Sequence, residues 1–212
     1  LYECGEGVEQ SWEEAVRWYR AAADQGYPRA LCSLAWCYEH GCGVERDLQE
    51  SFRLYSAAAE RGDARGLFCV ARCYDYGYGV ERNLAEAVKW YRRAADAGSA
   101  AALCDLGVCY ERGDGVEKDL AQAVALYQAA AQGGNAVGQC NLGYLYETGE
   151  GVEQSWAEAV RWYRAAADQG YPRAQCNLAW CYEYGKGVEQ DWTQAALWYR
   201  QAAEQGDARG LF

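Results

Sequence analysis

Apolar and polar positions repeat along the chain at a fixed interval of 36 residues. Within residues 26–62, one apolar set recurs at spacings of four, three and one, which predicts an amphipathic helix. A second set follows after a short break and predicts another helix. The two sets are Ala30, Leu34, Cys37 and Tyr38, then Leu48, Phe52, Tyr55, Ala58 and Ala59.

A Gly-x-Gly-Val tetrad separates the two helices of every pair, because glycine tolerates the positive φ at which helices commonly end. Residues that cap helix N-termini stand where the helices are expected to begin. The tetrads start at Gly5, Gly41, Gly77, Gly113, Gly149 and Gly185. The predicted caps are Ser11, Asp47, Asn83, Asp119, Ser155 and Asp191 for second helices, and Asp63, Ser99, Asn135 and Asp207 for first helices.

A period of this length is typical of arrays in which each unit buries its apolar face against its neighbours. We therefore predict an all-α fold, a right-handed α-solenoid of helix-turn-helix repeats that forms one array over residues 1–212. The predicted divisions are a partial first repeat at 1–25, helix pairs at 26–61, 62–97, 98–133, 134–169 and 170–205, and the start of a further repeat at 206–212.

Residues that recur in every repeat are interpreted as architecture. Paired alanines, and a column of alanine or glycine at Ala35 and its equivalents, allow close approach of helices. Two tyrosine columns, represented by Tyr38 and Tyr55, supply buried area with a polar tip. At one second-helix position tryptophan alternates with leucine, and these tryptophans are predicted to lie in the core: Trp12, Trp156 and Trp192.

A longer period overlies the first. Residues 1–68 and 145–212, which are 144 positions or four repeats apart, differ at only 17 of 68 positions. Recent duplication of a four-repeat block and deliberate construction would both produce this pattern.

The repeat contains the pattern Ala-x-x-x-Leu-Gly/Ala-x-x-Tyr, then Gly-x-Gly-Val, then Asp-x-x-x-Ala-x-x-Trp-Tyr-x-x-Ala-Ala-x-x-Gly. This pattern resembles the Sel1-like repeat, and the resemblance covers the whole chain. It implies an α-solenoid related to tetratricopeptide arrays and a role as an adaptor in protein complexes. Residues 174–206 match it at Ala174, Leu178, Ala179, Tyr182, Gly185, Gly187, Val188, Asp191, Ala195, Trp198, Tyr199, Ala202, Ala203 and Gly206.

We therefore expect a non-catalytic protein–protein interaction scaffold, with no catalytic residue and no cofactor. Some bacterial members of the resembled family have been linked to cell-wall fragments or β-lactams, so binding or weak hydrolysis of such molecules is an alternative. A purely structural or engineered array without a ligand is another. His40 is the only histidine, which weakens mechanisms that need an imidazole base.

Eleven cysteines would suggest a disulfide framework in a small secreted protein. Some cysteine-rich relatives join their two helices by disulfides, but here no predicted second helix contains a cysteine. We interpret most of them as buried thiols, which favours a cytoplasmic location without fixing it. The alternatives are a bridge between Cys4 and Cys42 and a metal cluster of Cys32, Cys37, His40 and Cys42. The spacing of that cluster matches no familiar zinc motif, so no metal is expected.

The net charge of −11 makes nucleic acid or an anionic membrane surface an unfavourable partner. No apolar run approaches the roughly 18 residues that span a bilayer.

Positions that vary among repeats lie one residue before the apolar face of each first helix. Spacings of four, three and four place each row on one side of its helix, about 100° from the packing face. We name these rows the variable stripe: Arg29, Ser33, Trp36 and His40; Arg65, Cys69, Arg72 and Tyr76; Ala101, Asp105, Val108 and Arg112; Val137, Asn141, Tyr144 and Thr148; Arg173, Asn177, Trp180 and Tyr184.

First helices line the concave surface of tetratricopeptide-like arrays, so we expect the variable stripe to face inward. Together with Arg209 it contains six arginines and one aspartate on an acidic chain. Arginine beside aromatic rings is typical of binding hot spots, and guanidinium suits a carboxylate. We predict that the stripe binds a protein or peptide with acidic or carboxylate groups. The candidate residues are Arg29, Trp36, His40, Arg65, Arg72, Tyr76, Arg112, Asn141, Tyr144, Arg173, Asn177, Trp180 and Tyr184.

Two further expectations concern the same residues and the ends of the array. The alternative role for the arginines is to pair with helix caps such as Asp63 and Asp207. The second expectation is that the open ends of the solenoid allow copies of the chain to associate with one another.

The interpretation of the cysteines gives a direct test. A thiol reagent titrated under denaturing, non-reducing conditions should count all or nearly all eleven thiols. Protein reduced beforehand is the matched control, and a count lower by two for every bridge would contradict the interpretation.

Overall fold

The structure is a computed structural model that describes residues 2–3, 7 and 9–206. Within these residues there are eleven α-helices and no strand, which confirms the all-α prediction. Cys4, Gly5, Asp207 and Arg209 lie outside the described residues. The helices are α1 (Trp12–Asp24), α2 (Pro28–His40), α3 (Leu48–Ala59), α4 (Ala64–Tyr76), α5 (Leu84–Asp96), α6 (Ala100–Arg112), α7 (Leu120–Gln132), α8 (Ala136–Thr148), α9 (Trp156–Ala167), α10 (Pro172–Tyr184) and α11 (Trp192–Glu204).

The helices are grouped in two compact units. The first comprises the described residues of Leu1–Ala102 with Asp114–Val116, and the second those of Leu103–Gly113 with Glu117–Phe212. Even-numbered helices are the first helices of the predicted pairs, and odd-numbered helices are the second. Within each unit, consecutive helices pack against one another, for example α2 on α3 and α10 on α11.

Side-chain caps begin the helices at the residues that the sequence indicates. Asp47 Oδ1 accepts the Glu50 N–H at 2.9 Å, and Asp63 Oδ1 accepts the Gly66 N–H at 2.8 Å. Each such bond satisfies a backbone donor that the helix leaves unpaired, which contributes about 1 kcal/mol. The same role belongs to Ser11, Asn83, Ser99, Asp119, Asn135, Ser155 and Asp191.

The turn between the two helices of a pair is closed by backbone hydrogen bonds. Gly41 has a φ of 72°, and its N–H donates to the Cys37 carbonyl at 2.8 Å. Beyond the turn, the Asp47 N–H donates to the Tyr38 carbonyl at 2.9 Å. The first glycine of the tetrad therefore ends the helix in the left-handed conformation, as predicted.

The second glycine of the tetrad has a role that the sequence did not indicate. A Cβ on Gly79 would overlap the carbonyl group of Leu48, at the start of the second helix of the preceding repeat. Gly151 meets Leu120 in the same way in the second unit. Glycine is required at this position for two reasons. The turn contacts the backbone of the preceding repeat, and the residue has a positive φ, which is 70° at Gly79.

The core between the two helices of a pair is centred on one tyrosine. Tyr127 is fully buried, and a Cβ on Gly107 of α6 would lie 2.5 Å from its ring. Gly143 has the same relation to the ring of Tyr163. The small-residue column is therefore small because a tyrosine ring occupies the space beside it.

The predicted apolar stripe of α3 needs one correction. Ser51 and Leu54 are buried, whereas Leu48 and Phe52 are only half-buried. The buried face of the helix is therefore rotated slightly from the face that the apolar residues alone suggested.

The prediction that Trp12, Trp156 and Trp192 lie in the core is wrong. Trp12 and Trp156 are half-buried, and each stacks on a tryptophan that lies 24 residues later in the variable stripe. Trp192 is 63% exposed. These tryptophans therefore lie at the surface of their helices rather than in the core.

Among the described residues, no helix combines the length and the apolar character needed to cross a membrane.

The close approach of Gly79 predicts a large loss of stability for Gly79→Ala. We expect about 1–2 kcal/mol from the positive φ and about 1–3 kcal/mol more from the collision with Leu48. Gly62→Ala is the matched control, because Gly62 also has a positive φ of 75° but nothing lies near its Cβ position. Urea unfolding followed by circular dichroism measures both, and equal losses would contradict the role given to the backbone contact.

Candidate functional site

All residues of the variable stripe lie on the solvent side of the first helices, where each is exposed or half-buried. In the first unit, the guanidinium groups of Arg29, Arg65 and Arg72 are exposed and the indole of Trp36 is half-buried. In the second unit, Trp180 and Tyr184 are 36% and 55% exposed. The stripe is therefore accessible within each unit.

One cleft of about 480 Å³ brings three predicted residues together in the first unit. Arg29 and Trp36 reach it from α2 and Arg65 from α4, while Trp12 enters from α1. The complete lining is Glu3, Trp12, Tyr19, Tyr27, Arg29, Ala30, Ser33, Trp36 and Arg65.

A second cleft in the same unit, of about 390 Å³, lies between α2 and α4 and shares Trp36 and Arg65 with the first. It adds His40 and Arg72 from the predicted set and has Glu39 in its wall. Its lining is Trp36, Glu39, His40, Tyr55, Arg65, Phe68, Cys69, Arg72, Cys73 and Tyr78.

A cleft of about 300 Å³ in the second unit contains Asn177 and Trp180. Glu147 and Tyr199 complete its polar wall, and Cys176 lines it as well. The other candidate residues line none of these three clefts: Tyr76, Arg112, Asn141, Tyr144, Arg173 and Tyr184. The Tyr76 ring instead stacks on Tyr78 at 5.5 Å, and Tyr144 packs on the core beside α7.

Stacked aromatic rings form part of the surface in both units. The ring centroids of Trp12 and Trp36 are 5.4 Å apart, and His40 stacks on Trp36 at 4.3 Å. In the second unit Trp156 and Trp180 are 5.7 Å apart. His40 Nδ1 lies 2.9 Å from the Trp36 carbonyl oxygen, so this nitrogen carries a proton and donates it to that oxygen.

A repeated carboxylate that sequence reasoning missed lies beside the variable stripe. The Tyr55 hydroxyl donates to Glu39 at 2.9 Å, and the Tyr127 hydroxyl donates to Glu111 at 2.7 Å. An acidic residue stands 16 positions before the core tyrosine in all six repeats, so the signal was present in the sequence. The remaining pairs are Tyr19 with Glu3, Tyr91 with Asp75, Tyr163 with Glu147 and Tyr199 with Glu183.

Burial keeps the hydroxyl groups of Tyr55, Tyr127 and Tyr163 protonated, because it raises their pKa values. Burial, together with the hydrogen bond to negatively charged Glu111, raises the pKa of Tyr127 above its ordinary value. The phenol therefore remains a donor at neutral pH, and Glu111 Oε2 accepts its hydrogen bond.

The arginines of the variable stripe take no part in the salt bridges found among the described residues. Those four pairs join residues three apart on second helices, such as Arg53 with Glu50 at 2.6 Å. The predicted partner Asp63 instead accepts the Gly66 N–H and the thiol of Cys32, whose sulfur is 3.4 Å from the carboxylate. The caps of the first helices are therefore occupied by backbone and thiol donors.

The ten described cysteines are thiols, and eight of them are buried. Burial raises the pKa of Cys37 to about 11. Burial also raises the pKa of Cys69 to about 11, although nearby Arg65 opposes the shift. Both thiols are therefore protonated at neutral pH and are poor nucleophiles. Within the described part of the chain, no group of three or more His, Cys, Asp or Glu residues is placed to hold a metal ion.

Repeated helix pairs joined by glycine turns define an α-solenoid repeat protein. The chain belongs to the Sel1 repeat family, whose model matches residues 1–27, 28–63, 65–99, 100–135, 136–171 and 172–207. A comparison with curated proteins finds no match.

Solved structures of this family resemble the chain closely. A Sel1 repeat protein from Oxalobacter formigenes is 36% identical with a TM-score of 0.92, and the match covers 96% of this chain and 84% of that one. The protein c5321, a protective antigen of uropathogenic Escherichia coli with this fold, is 37% identical with a TM-score of 0.86. That match covers all of this chain but 45% of c5321, so the chain spans less than half of that relative.

A more distant structure supports the fold alone. The immunity protein Pa5087 of Pseudomonas aeruginosa is 22% identical with a TM-score of 0.68, covering 96% of this chain and 80% of that one. Sel1 repeat proteins are generally scaffolds that mediate protein–protein interaction, and the family is typically non-catalytic.

The tyrosine–carboxylate bond predicts a stability loss for Tyr127→Phe. We expect about 1–3 kcal/mol, because the substitution removes a hydrogen bond to a charged group at a buried ring. Tyr27→Phe is the matched control, since Tyr27 is 59% exposed and makes no side-chain cap bond. Chemical unfolding measures both variants, and a Tyr127→Phe loss as small as that of the control would refute the assigned role.

Proposed function

We propose that this chain is a non-catalytic scaffold that binds an extended, acidic peptide segment of a partner protein along the variable stripe. The observation that carries the proposal is the larger cleft of the first unit. There Arg29 and Arg65 flank Trp36, and neither guanidinium is engaged in a salt bridge among the described residues.

The arginines favour a ligand that carries carboxylates. A guanidinium can donate two parallel hydrogen bonds to one carboxylate, which gives both strength and orientation. The surrounding surface supplies apolar contact, because the rings of Trp12 and Trp36 form one wall of the cleft. Arginine and tryptophan are the side chains most often found at the energetic centre of protein interfaces.

The carboxylates in the clefts favour a peptide over a polyanion. Glu39 accepts the Tyr55 hydroxyl and still has lone pairs that face the cleft, where they can accept peptide N–H groups. The same negative charge repels the closely spaced phosphates of a nucleic acid, in keeping with the net charge of −11. The best fit is therefore a segment whose acidic side chains are spaced along an exposed backbone.

The test uses an array of short synthetic peptides in which Trp, Leu or Pro stands between Asp and Glu residues, with matched Asn and Gln versions. The best binder is labelled, and its affinity is measured by fluorescence anisotropy. We expect Arg29→Gln combined with Arg65→Gln to weaken binding at this cleft of the first unit about tenfold or more, seen as a loss of the tight binding that this cleft contributes to the titration, because each charge-assisted hydrogen bond contributes about 1.5–3 kcal/mol.

The control variant combines Arg17→Gln with Arg53→Gln, which removes the same charge from exposed positions on second helices. Its affinity should match that of the wild type within about twofold. The proposal is wrong if no acidic peptide binds better than its amide version, or if both double variants weaken binding equally.

A further inference from the structure

We infer that the chain carries two equivalent peptide-binding sites, one in each copy of its duplicated sequence block, and is bivalent for such a segment. The inference rests on the proposed function and adds the number and position of the sites. Site one is built around Trp12 and Trp36 in the first unit. Site two is built around Trp156 and Trp180 in the second unit.

The same geometry of tryptophans recurs at the two sites. Trp156 and Trp180 stand 144 positions after Trp12 and Trp36. The ring planes are inclined by 34° at a separation of 5.4 Å in site one, and by 30° at 5.7 Å in site two. The duplicated sequence therefore reproduces one arrangement of rings within each unit.

A third ring and a nearby cation accompany each tryptophan pair. His40 stacks on Trp36 at 4.3 Å, and Tyr184 packs on Trp180 at 5.0 Å. Arg65 lines the cleft of site one, and the ammonium group of Lys186 lies 5.7 Å from the Trp156 ring in site two. Both sites thus combine an aromatic surface with a positive charge.

The clefts beside the two pairs also correspond. The cleft of site one includes Glu3, Ser33 and Trp36. The cleft of site two includes Glu147, Asn177 and Trp180, which are the positions 144 residues later. Each glutamate accepts a tyrosine hydroxyl, from Tyr19 in site one and from Tyr163 in site two.

The repeats between the two sites do not contain the pair. Their residues at the two tryptophan positions are Leu48 with Arg72, Leu84 with Val108 and Leu120 with Tyr144. Two aromatic sites separated by repeats without them are the pattern expected if binding is concentrated at two positions rather than spread over the stripe.

The occupant of each site is one acidic segment that places an apolar side chain on the tryptophan pair and a carboxylate near the cation. Local charge complementarity selects this ligand, because Arg65 lies beside the first tryptophan pair and Lys186 beside the second. A partner that presents two such segments would gain affinity because the second binding event is intramolecular.

The experiment is isothermal titration calorimetry of the whole chain with the best acidic peptide from the array. We expect two peptides per wild-type chain, one per chain for Trp36→Ala or Trp180→Ala, and no binding for the double variant. Trp18→Ala should retain two, because Trp18 is 59% exposed and belongs to neither site. Circular dichroism confirms that each variant is folded.

A second pair of variants tests the same sites without removing a ring. Arg65→Gln should weaken only one of the two binding events by about tenfold, and Lys186→Gln only the other. The inference would be overturned, and the proposed function left intact, by one peptide per wild-type chain. The same holds if a folded Trp36→Ala or Trp180→Ala variant still binds two peptides. Absence of any binding to the wild type would instead refute the proposed function.

Discussion

The ring of one tyrosine per repeat, inserted between the two helices of a pair, is the contact on which the rest of the structure depends. The ring of Tyr127 fills the space beside Gly107, so that position accepts only a very small residue. The Tyr127 hydroxyl then donates to Glu111, which lies four residues after Gly107 on α6. One side chain thus limits the spacing of the two helices and holds a carboxylate beside the solvent-facing side.

That carboxylate connects the invariant core with the variable surface. Glu39 and its equivalents in the other repeats accept the hydroxyl hydrogen bond of the core tyrosine. Glu39 also lines a cleft with Arg65 and Arg72. The neighbouring positions of the variable stripe lie on the solvent side of the first helices, and their side chains differ from repeat to repeat. A scaffold family can therefore keep one fold while changing the side chains that meet a partner.

Some contacts between successive repeats are made by backbone and small groups, in addition to the packing of apolar side chains. Gly79 lies against the backbone of Leu48, and the Cys32 thiol donates to the cap Asp63 at the start of the next first helix. Such contacts leave little space for variation, which explains why the 36-residue period continues without an insertion. The tryptophans are different, because Trp12 and Trp156 gain partners only where the next first helix supplies another indole.

The sequence by itself determined the helix pairs, their caps and the first glycine of each turn, because these depend on residues only a few positions apart. The positions of Asp47 and Gly41 could be predicted for that reason. It also indicated which stripe is exposed. Only the tertiary structure decided that Trp12 leaves the core to stack on Trp36, that Glu39 enters a cleft, and that the second glycine meets another repeat. These features join residues 16 to 31 positions apart, where the spacing of apolar residues along one helix carries no information.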